Sequence, residues 1–285
     1  MKAFDILVVK GVIQRTTLAT VMATLEPSGH ASRLFLVLDT PGGDPNSGFR
    51  IMRYLDAQYD DISIIVPNMA MSTGTLMALG GDRVFMYHSS CLGPLDLQTE
   101  HPSDGSQIST LDIRDTWYTI YSITETVADR FVEKAISEYG INRSTALKLG
   151  YQHATEFVQP IMDKIDPYHL HSSYRASKLG AKYSLLLLQK RMLKEDQQRA
   201  QILSRHLAND YDTHGYAITL EAAQKLGVHA EDLSTLEEWK TIDAHYASAS
   251  QGVLYIQVAD DTEPQSETVA EGQQTGQKGG KSWKR

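Results

Sequence analysis

The chain has 285 residues, a formal net charge of −8 and a single cysteine. Its length predicts one large α/β domain or two small ones. The acidic balance argues against a nucleic-acid surface, which would show a basic patch. One cysteine, Cys91, excludes an intramolecular disulfide and gives no support for a cysteine-rich metal site. We expect Cys91 to be a small buried apolar residue, and we expect no metal ion or cofactor.

The first part of the chain alternates short apolar runs with segments of helical periodicity. This order predicts a mainly parallel sheet with helices on its faces. The predicted strands are 4–12, 34–39, 62–67 and 83–88, and the predicted helices are 16–25, 47–58 and 73–79. The helix 47–58 is expected to be capped by Asn46 or Ser47.

After residue 110 the pattern becomes mostly helical. We predict helices at 112–139, 142–150, 172–207 and 221–226, and a late strand at 252–258. The polar residues from 261 onward have almost nothing to bury, which predicts a disordered tail. The expected division is therefore a core that holds the nucleophile at 1–110, a helical section that returns to the core at 111–260, and the tail at 261–285.

The sequence contains no feature typical of membrane insertion or export. No run of about 18 apolar residues is present, so no membrane span is expected. The first ten residues carry Asp5 within their apolar run, which is unlike a signal peptide. We therefore expect a cytoplasmic protein.

A small-residue turn at 67–75 carries Ser72 out of an apolar run and into an apolar helix. The free backbone N–H groups at a helix N-terminus favour negative charge. That environment suits a nucleophile whose attack creates an oxyanion. The alternative is that Ser72 is only the N-cap of the helix.

A second turn follows the apolar run 34–39 and contains Gly42 and Gly43. Two adjacent glycines permit positive φ and let the backbone approach another group closely. Their N–H groups are candidates for binding an oxyanion. The alternative is an ordinary strand-to-helix turn.

The order strand, diglycine, helix, strand, serine, helix resembles the Clp-fold serine peptidases, which include Clp protease subunits and signal peptide peptidase A. The SDH family of Clp-fold serine proteinases is the most similar group. The motifs that carry the resemblance are LDTPGG at 38–43, AMSTGT at 70–75, LGPLDLQ at 92–98, and THGYAIT at 213–219 followed by AAQKLGV at 222–228.

The resemblance implies an α/β fold, a ClpP/crotonase-like spiral of ββα units with an added long-helix section. It implies that Ser72 is the nucleophile of a peptidase and that Gly42, Gly43 and Thr73 form the oxyanion hole. An extended polypeptide substrate would lie beside Asp44 and the segment that contains Leu92, Gly93 and Asp96. The resemblance also implies a homo-oligomer, and an unidentified partner protein is compatible with it.

A serine nucleophile also requires a general base. Clp subunits use a histidine soon after the nucleophile helix, but the matching segment 91–94 has none. Signal peptide peptidases use a lysine, but no lysine occurs between Lys10 and Lys134. We take His214 as the base, because imidazole is best suited to proton transfer near neutral pH.

Other assignments stay open at this point. Lys134, Lys164 and His88 are alternative bases, and Asp96 either orders the site or stabilises a turn. The favoured function is peptide-bond hydrolysis. One alternative is a pseudo-protease that keeps the fold as a scaffold, and the other is a crotonase-type acyl-CoA enzyme, which would not need Ser72.

Overall fold

A computed structural model describes residues 3–25, 29–96, 98–100 and 107–259. The predicted tail at 261–285 lies outside these residues. The strands are β1 (Phe4–Lys10), β2 (Arg33–Asp39), β3 (Asp61–Val66), β4 (Met69–Ala70), β5 (Arg83–Met86), β6 (Cys91–Leu92), β7 (Gln98–Glu100), β8 (Gln107–Ser109), β9 (Ala230–Asp232) and β10 (Gly252–Val258). The helices are α1 (Arg15–Leu25), α2 (Pro45–Asp56), α3 (Thr73–Ala78), α4 (Thr110–Ser137), α5 (Arg143–Met162), α6 (Pro167–Leu188), α7 (Gln197–Asn209), α8 (Leu220–Leu226) and α9 (Trp239–Ser248).

Six strands form the central sheet in the order β10-β1-β2-β3-β5-β9. All neighbouring pairs from β1 to β9 are parallel, and β10 is antiparallel to β1. Beside this sheet, β4 pairs with β6, and Thr40 forms a bridge with Ala70. Successive passes of the chain thus add a long strand, a short segment of this second sheet and a helix. The predicted spiral of ββα units is confirmed.

The central strands are mostly apolar because both faces of the sheet are covered. In β2, Leu34, Leu36 and Leu38 pack into the larger core cluster, which also contains residues of α1, α2, α3 and α7. The alternate residues Phe35 and Val37 pack into a smaller cluster with residues of β1 and α9. The larger cluster joins residues on both sides of position 110, and the division of the chain into domains stays a prediction.

Helices α2 and α5 begin or end at other residues than the sequence predicted. Helix α2 is capped by Asp44, whose carboxylate accepts from the N–H groups of Asn46 and Ser47. Helix α5 continues through Gly150, which lies against α4. A methyl group on this glycine would lie 2.6 Å from Val132 Cγ2, so its absence allows the two helices to pack closely. The glycine therefore marks a helix contact here and not a helix end.

The predicted helix 172–207 is two helices, α6 and α7, separated by a turn. Asp196 caps α7 by accepting from the N–H of Arg199 at 2.9 Å. Within the turn, Arg191 is almost buried and donates to the carboxylates of Asp56 and Asp82, both at 2.8 Å. Its guanidinium also donates to the Tyr59 carbonyl. One arginine therefore links the turn between α6 and α7 to the end of α2 and to the residue before β5.

Replacing Arg191 by methionine is expected to lower the free energy of unfolding by about 3 kcal/mol, because two carboxylates lose a largely buried cation. Urea denaturation measures this change. Lys190 is the matched control, since it approaches the same Asp56 at 3.7 Å but is largely exposed. Lys190→Ala should change stability by less than ~1 kcal/mol. Equal effects of the two substitutions would contradict the assigned role of Arg191.

In the described ranges, the helices are too short or too polar to span a bilayer.

Candidate active site

Ser72 stands in a strained turn between β4 and α3. Its φ of 51° and ψ of −111° make it the one non-glycine residue with positive φ among those described. It occupies the N-cap position, yet its side chain makes no capping hydrogen bond. The hydroxyl is half-buried and remains available. A strained backbone that presents an unused polar group is typical of functional turns.

Gly42 lies directly against this turn. Its φ is 107°, and a methyl group on it would lie 2.8 Å from the Met71 carbonyl oxygen and 2.9 Å from Ser72 Cβ. The Gly42 N–H donates to the Thr40 hydroxyl at 2.9 Å. Only a glycine permits this approach, so the diglycine loop and the serine turn form one site.

Gly43 and Thr73 both present an unused N–H group. The chain next to Gly43 pairs with Ile13, since Ile13 N–H donates to the Gly42 carbonyl and Asp44 N–H to the Ile13 carbonyl, each at 2.8 Å. The Thr73 hydroxyl donates to the Gly43 carbonyl at 2.7 Å, which links the two segments. Among the described residues, neither the Gly43 nor the Thr73 N–H has a hydrogen-bond partner. Two such donors are what an oxyanion requires.

Gly42→Ala is expected to lower any Ser72-dependent activity by at least ~10²-fold, since a shift of about 1 Å at a reacting centre has that effect. The added methyl group meets the serine turn, and the positive φ adds strain. Gly29→Ala is the control, because a methyl group there meets nothing within 4 Å. The rate of fluorophosphonate labelling measures the effect. Equal rates for the two variants would show that the Gly42 loop does not form part of the site.

The segment after β6 packs against the other side of the serine turn. A methyl group on Gly93 would lie 2.7 Å from Met71 Cε and 3.3 Å from Ser72 N. The Gly93 N–H donates to the Thr75 hydroxyl at 2.8 Å, and this hydroxyl donates to the Ala70 carbonyl at 2.7 Å. The buried Thr75 hydroxyl thus fixes the segment from Gly93 onward relative to Ser72.

Leu92 pairs with Ile218, so the C-terminal part of the chain lies next to the segment that contains Gly93. Its N–H donates to the Ile218 carbonyl at 3.0 Å and its carbonyl accepts from the Ile218 N–H at 2.9 Å. The Leu92 side chain is buried. Leu92 therefore holds the return segment, and it offers a substrate neither a free backbone group nor an exposed side chain.

Asp96 and His214 meet through this pairing. The Asp96 carboxylate is buried, and its Oδ1 lies 2.9 Å from His214 Nδ1. Its Oδ2 accepts from the Ser109 hydroxyl at 2.7 Å. Burial alone would raise the pKa of Asp96, but the hydrogen bonds from His214 and Ser109 together hold it below its usual value.

The ionised Asp96 also sets the tautomer of His214. A carboxylate can only accept hydrogen bonds, so the proton of the neutral ring must be on Nδ1. Nε2 then carries the lone pair that a general base needs. Sequence reasoning gave separate roles to these two residues and missed Ser109.

The alternative bases are all exposed side chains. Lys134 is exposed on α4 and pairs with Glu138 at 3.6 Å. Lys164 is exposed as well. His88 is exposed and makes ion pairs with Glu221 and Asp232, and the Glu221 hydrogen bond raises its pKa.

The remaining predicted residues have plain structural contacts. Both carboxylate oxygens of Asp44 are engaged in capping α2, and the Ser47 hydroxyl donates to one of them at 2.6 Å. Burial opposes ionisation of Asp44, but these hydrogen bonds lower its pKa. Cys91 is partly buried, which raises its pKa, and its Sγ lies 3.9 Å from Met71 Sδ. Nothing there activates the thiol.

An acidic cavity of about 260 Å³ adjoins the Asp96–His214 pair. It is lined by Asp96, Ser109, Asp112, Asp115, Asn209, Asp210, Tyr211, Asp212 and Thr213. Despite its carboxylates, no group of three or more His, Cys, Asp or Glu in the described part of the chain is arranged to hold a metal ion.

The fold and the serine turn define the class, an α/β protein built of ββα units with a serine at its candidate site. Residues 19–152 match the family of ClpP-like SDH-type serine proteinases. This match confirms the resemblance for the motifs at 38–43, 70–75 and 92–98, whereas the motifs at 213–219 and 222–228 lie outside the matched residues. It includes Gly42, Gly43, Ser72, Asp96 and Ser109, whereas His214 lies beyond it.

Comparison with individual proteins gives more distant similarities. The chain is 29% identical over 207 residues to the uncharacterized protein MJ0137 of Methanocaldococcus jannaschii, which covers 73% of this chain and 56% of that protein. The chain therefore spans little more than half the length of this relative.

Two solved structures are similar at low level. The membrane-bound stomatin-specific protease 1510-N gives a TM-score of 0.32 with 22% identity, over 50% of this chain and 66% of that one. The ClpP catalytic domain of Plasmodium falciparum gives a TM-score of 0.26 with 15% identity, over 30% and 52%. TM-scores of this size do not support a transfer of site residues.

Proposed function

We propose that the chain is a serine peptidase in which Ser72, His214 and Asp96 act together. The observation that carries the proposal is the free Ser72 hydroxyl in a turn with positive φ, with the unused N–H groups of Gly43 and Thr73 beside it. Nucleophile and oxyanion donors are the two parts that acyl transfer requires in one place.

The chemistry follows the general scheme for acyl transfer. Ser72 Oγ attacks the carbonyl carbon of a peptide bond while His214 Nε2 takes the hydroxyl proton. The carbonyl oxygen becomes an anion that accepts from the N–H groups of Gly43 and Thr73. The proton then passes from Nε2 to the leaving amine as the C–N bond breaks, and water hydrolyses the resulting ester by the same steps in reverse order.

Contacts between the serine turn, the segment around Gly93 and the segment that contains His214 support the role of His214. Gly93 touches the Ser72 backbone, Leu92 pairs with Ile218, and Asp96 holds His214 Nδ1. The Ser72 hydroxyl has no hydrogen-bond partner among the described residues. Catalytic hydrogen bonds are often formed only once substrate is bound, so this is compatible with the assignment.

A fluorophosphonate probe tests the proposal. The wild-type protein should be labelled and Ser72→Ala should not, with both variants in the same oligomeric state. Absence of labelling in both proteins across several pH values would favour the pseudo-protease function. Equal labelling of both would place the reactive group elsewhere.

We further propose that the substrate is a polypeptide and that the chain forms a homo-oligomer. Support comes from α4 and α5, which expose large apolar side chains that include Tyr118, Tyr121, Tyr151 and Phe157. An exposed apolar surface of this kind is typical of interaction sites. Sedimentation velocity at micromolar concentration tests the assembly, and a monomer would contradict it.

A further inference from the structure

The far oxygen of Asp96 is held by a buried hydroxyl. Ser109 is the last residue of β8, is 7% exposed, and its Oγ lies 2.7 Å from Asp96 Oδ2. Oδ1 of the same carboxylate lies 2.9 Å from His214 Nδ1. Each carboxylate oxygen therefore has a side-chain partner, His214 on Oδ1 and Ser109 on Oδ2.

We propose that Ser109 is a positioning residue that aims His214 by holding the Asp96 carboxylate in one orientation and in its ionised form. The consequence for catalysis rests on the proposed peptidase function, whereas the effect on the Asp96–His214 hydrogen bond does not. Hydrogen bonds to charged groups are roughly twice as strong as neutral ones, so the serine is well suited to this task.

The cavity next to Asp96 is lined by other carboxylates. Asp112 and Asp115 of α4 line the adjoining cavity, and Asp210 and Asp212 line it from the segment after α7. Among the described residues, Tyr211 of that segment also lines the cavity, and His214 contacts Asp96 directly. Neighbouring carboxylates oppose the ionisation of a buried acid, as burial itself does.

The sign of the expected change follows from these contacts. Burial is the largest influence on the Asp96 pKa and raises it, yet the hydrogen bonds from His214 and Ser109 bring it below its usual value. Without the Ser109 donor the pKa of Asp96 rises. The carboxylate is then protonated at a higher pH, and the acceptor for His214 Nδ1–H is weakened there.

The test uses proton NMR of the His214 Nδ1–H resonance in the catalytically inert Ser72→Ala protein, assigned by its loss in Ser72→Ala/His214→Asn. This resonance should be lost on acidification, when Asp96 is protonated. Adding Ser109→Ala should raise the pH of that loss by at least ~0.5 unit. Ser109→Thr keeps a hydroxyl and should restore the original pH. Ser63→Ala is the matched control, since Ser63 is a fully buried serine that donates to another carboxylate, Asp61, at 3.3 Å. It should leave the resonance unchanged.

Activity gives the second measurement. Ser109→Ala with Ser72 intact should lose about tenfold in kcat/KM. An unmoved NMR transition in folded Ser109→Ala would overturn the inference. If that variant does not fold, Ser109→Cys replaces it, because a thiol is a much weaker donor. A moved transition in a protein without peptidase activity would retain the positioning role and reject the proposed function.

Discussion

Replacing Ser72 by alanine is expected to lower peptide hydrolysis by more than ~10³-fold, because removal of the nucleophile of a catalytic triad abolishes the covalent route. Hydrolysis of an internally quenched peptide library by the purified protein measures this loss. Ser63→Ala is again the control, since it removes a buried serine hydroxyl outside the site.

The backbone at Ser72 sharpens this prediction. A non-glycine residue in such a conformation costs about 1–3 kcal/mol, and glycine avoids most of that cost. Ser72→Gly should therefore be inactive and yet more stable than Ser72→Ala by at least ~1 kcal/mol. An active Ser72→Gly or Ser72→Ala protein would contradict the nucleophile assignment. Equal stabilities would contradict the strained turn.

Replacing His214 by alanine should lower kcat by about 10²–10⁴-fold without unfolding the protein, which is the usual effect of losing a general base. The wild-type rate should fall towards acid pH, because a protonated imidazole cannot accept the Ser72 proton. Stopped assays across pH, with circular dichroism for folding, measure both effects.

Residues that act as a unit lose activity non-additively. The double variant Ser72→Ala/His214→Ala should thus be no slower than Ser72→Ala alone. Lys134→Ala and Lys164→Ala serve as controls and should be nearly neutral, because both side chains are exposed. A large loss in either lysine variant, with His214→Ala active, would make a lysine the base.

The sequence predicted the parts of the fold whose cause is local. Strands such as β2 were recognisable because five successive residues are buried, which makes the run continuously apolar. Gly42 was recognisable because its positive φ favours glycine after a strand, and Ser72 because it lies in a small-residue turn between an apolar run and a helix. The order of the motifs along the chain then indicated the family resemblance and the ββα spiral.

Helix ends were predicted less well, since a local signal has more than one use. Gly150 looked like a helix end and is a packing site on α4. The run 172–207 looked continuous because nothing in it breaks a helix strongly. The turn that interrupts it contains Arg191, which donates to Asp56, a residue 135 positions away in the sequence.

The contacts of the candidate base could not be predicted from the sequence either, because they join residues that are distant along the chain. Asp96 and His214 are 118 positions apart, and their pairing depends on the bridge between Leu92 and Ile218. Ser109 is 13 positions from Asp96 and belongs to no recognisable motif. No periodicity or spacing encodes either contact.

A crystal structure of the wild-type protein after reaction with a peptide phosphonate tests the central claim most directly. The account predicts a single adduct on Ser72 Oγ, with one phosphoryl oxygen about 2.7–3.1 Å from both the Gly43 and Thr73 nitrogens. It also predicts His214 Nε2 within hydrogen-bond reach of the adduct. An adduct on another residue, or one on Ser72 whose phosphoryl oxygen points away from both N–H groups, would contradict it.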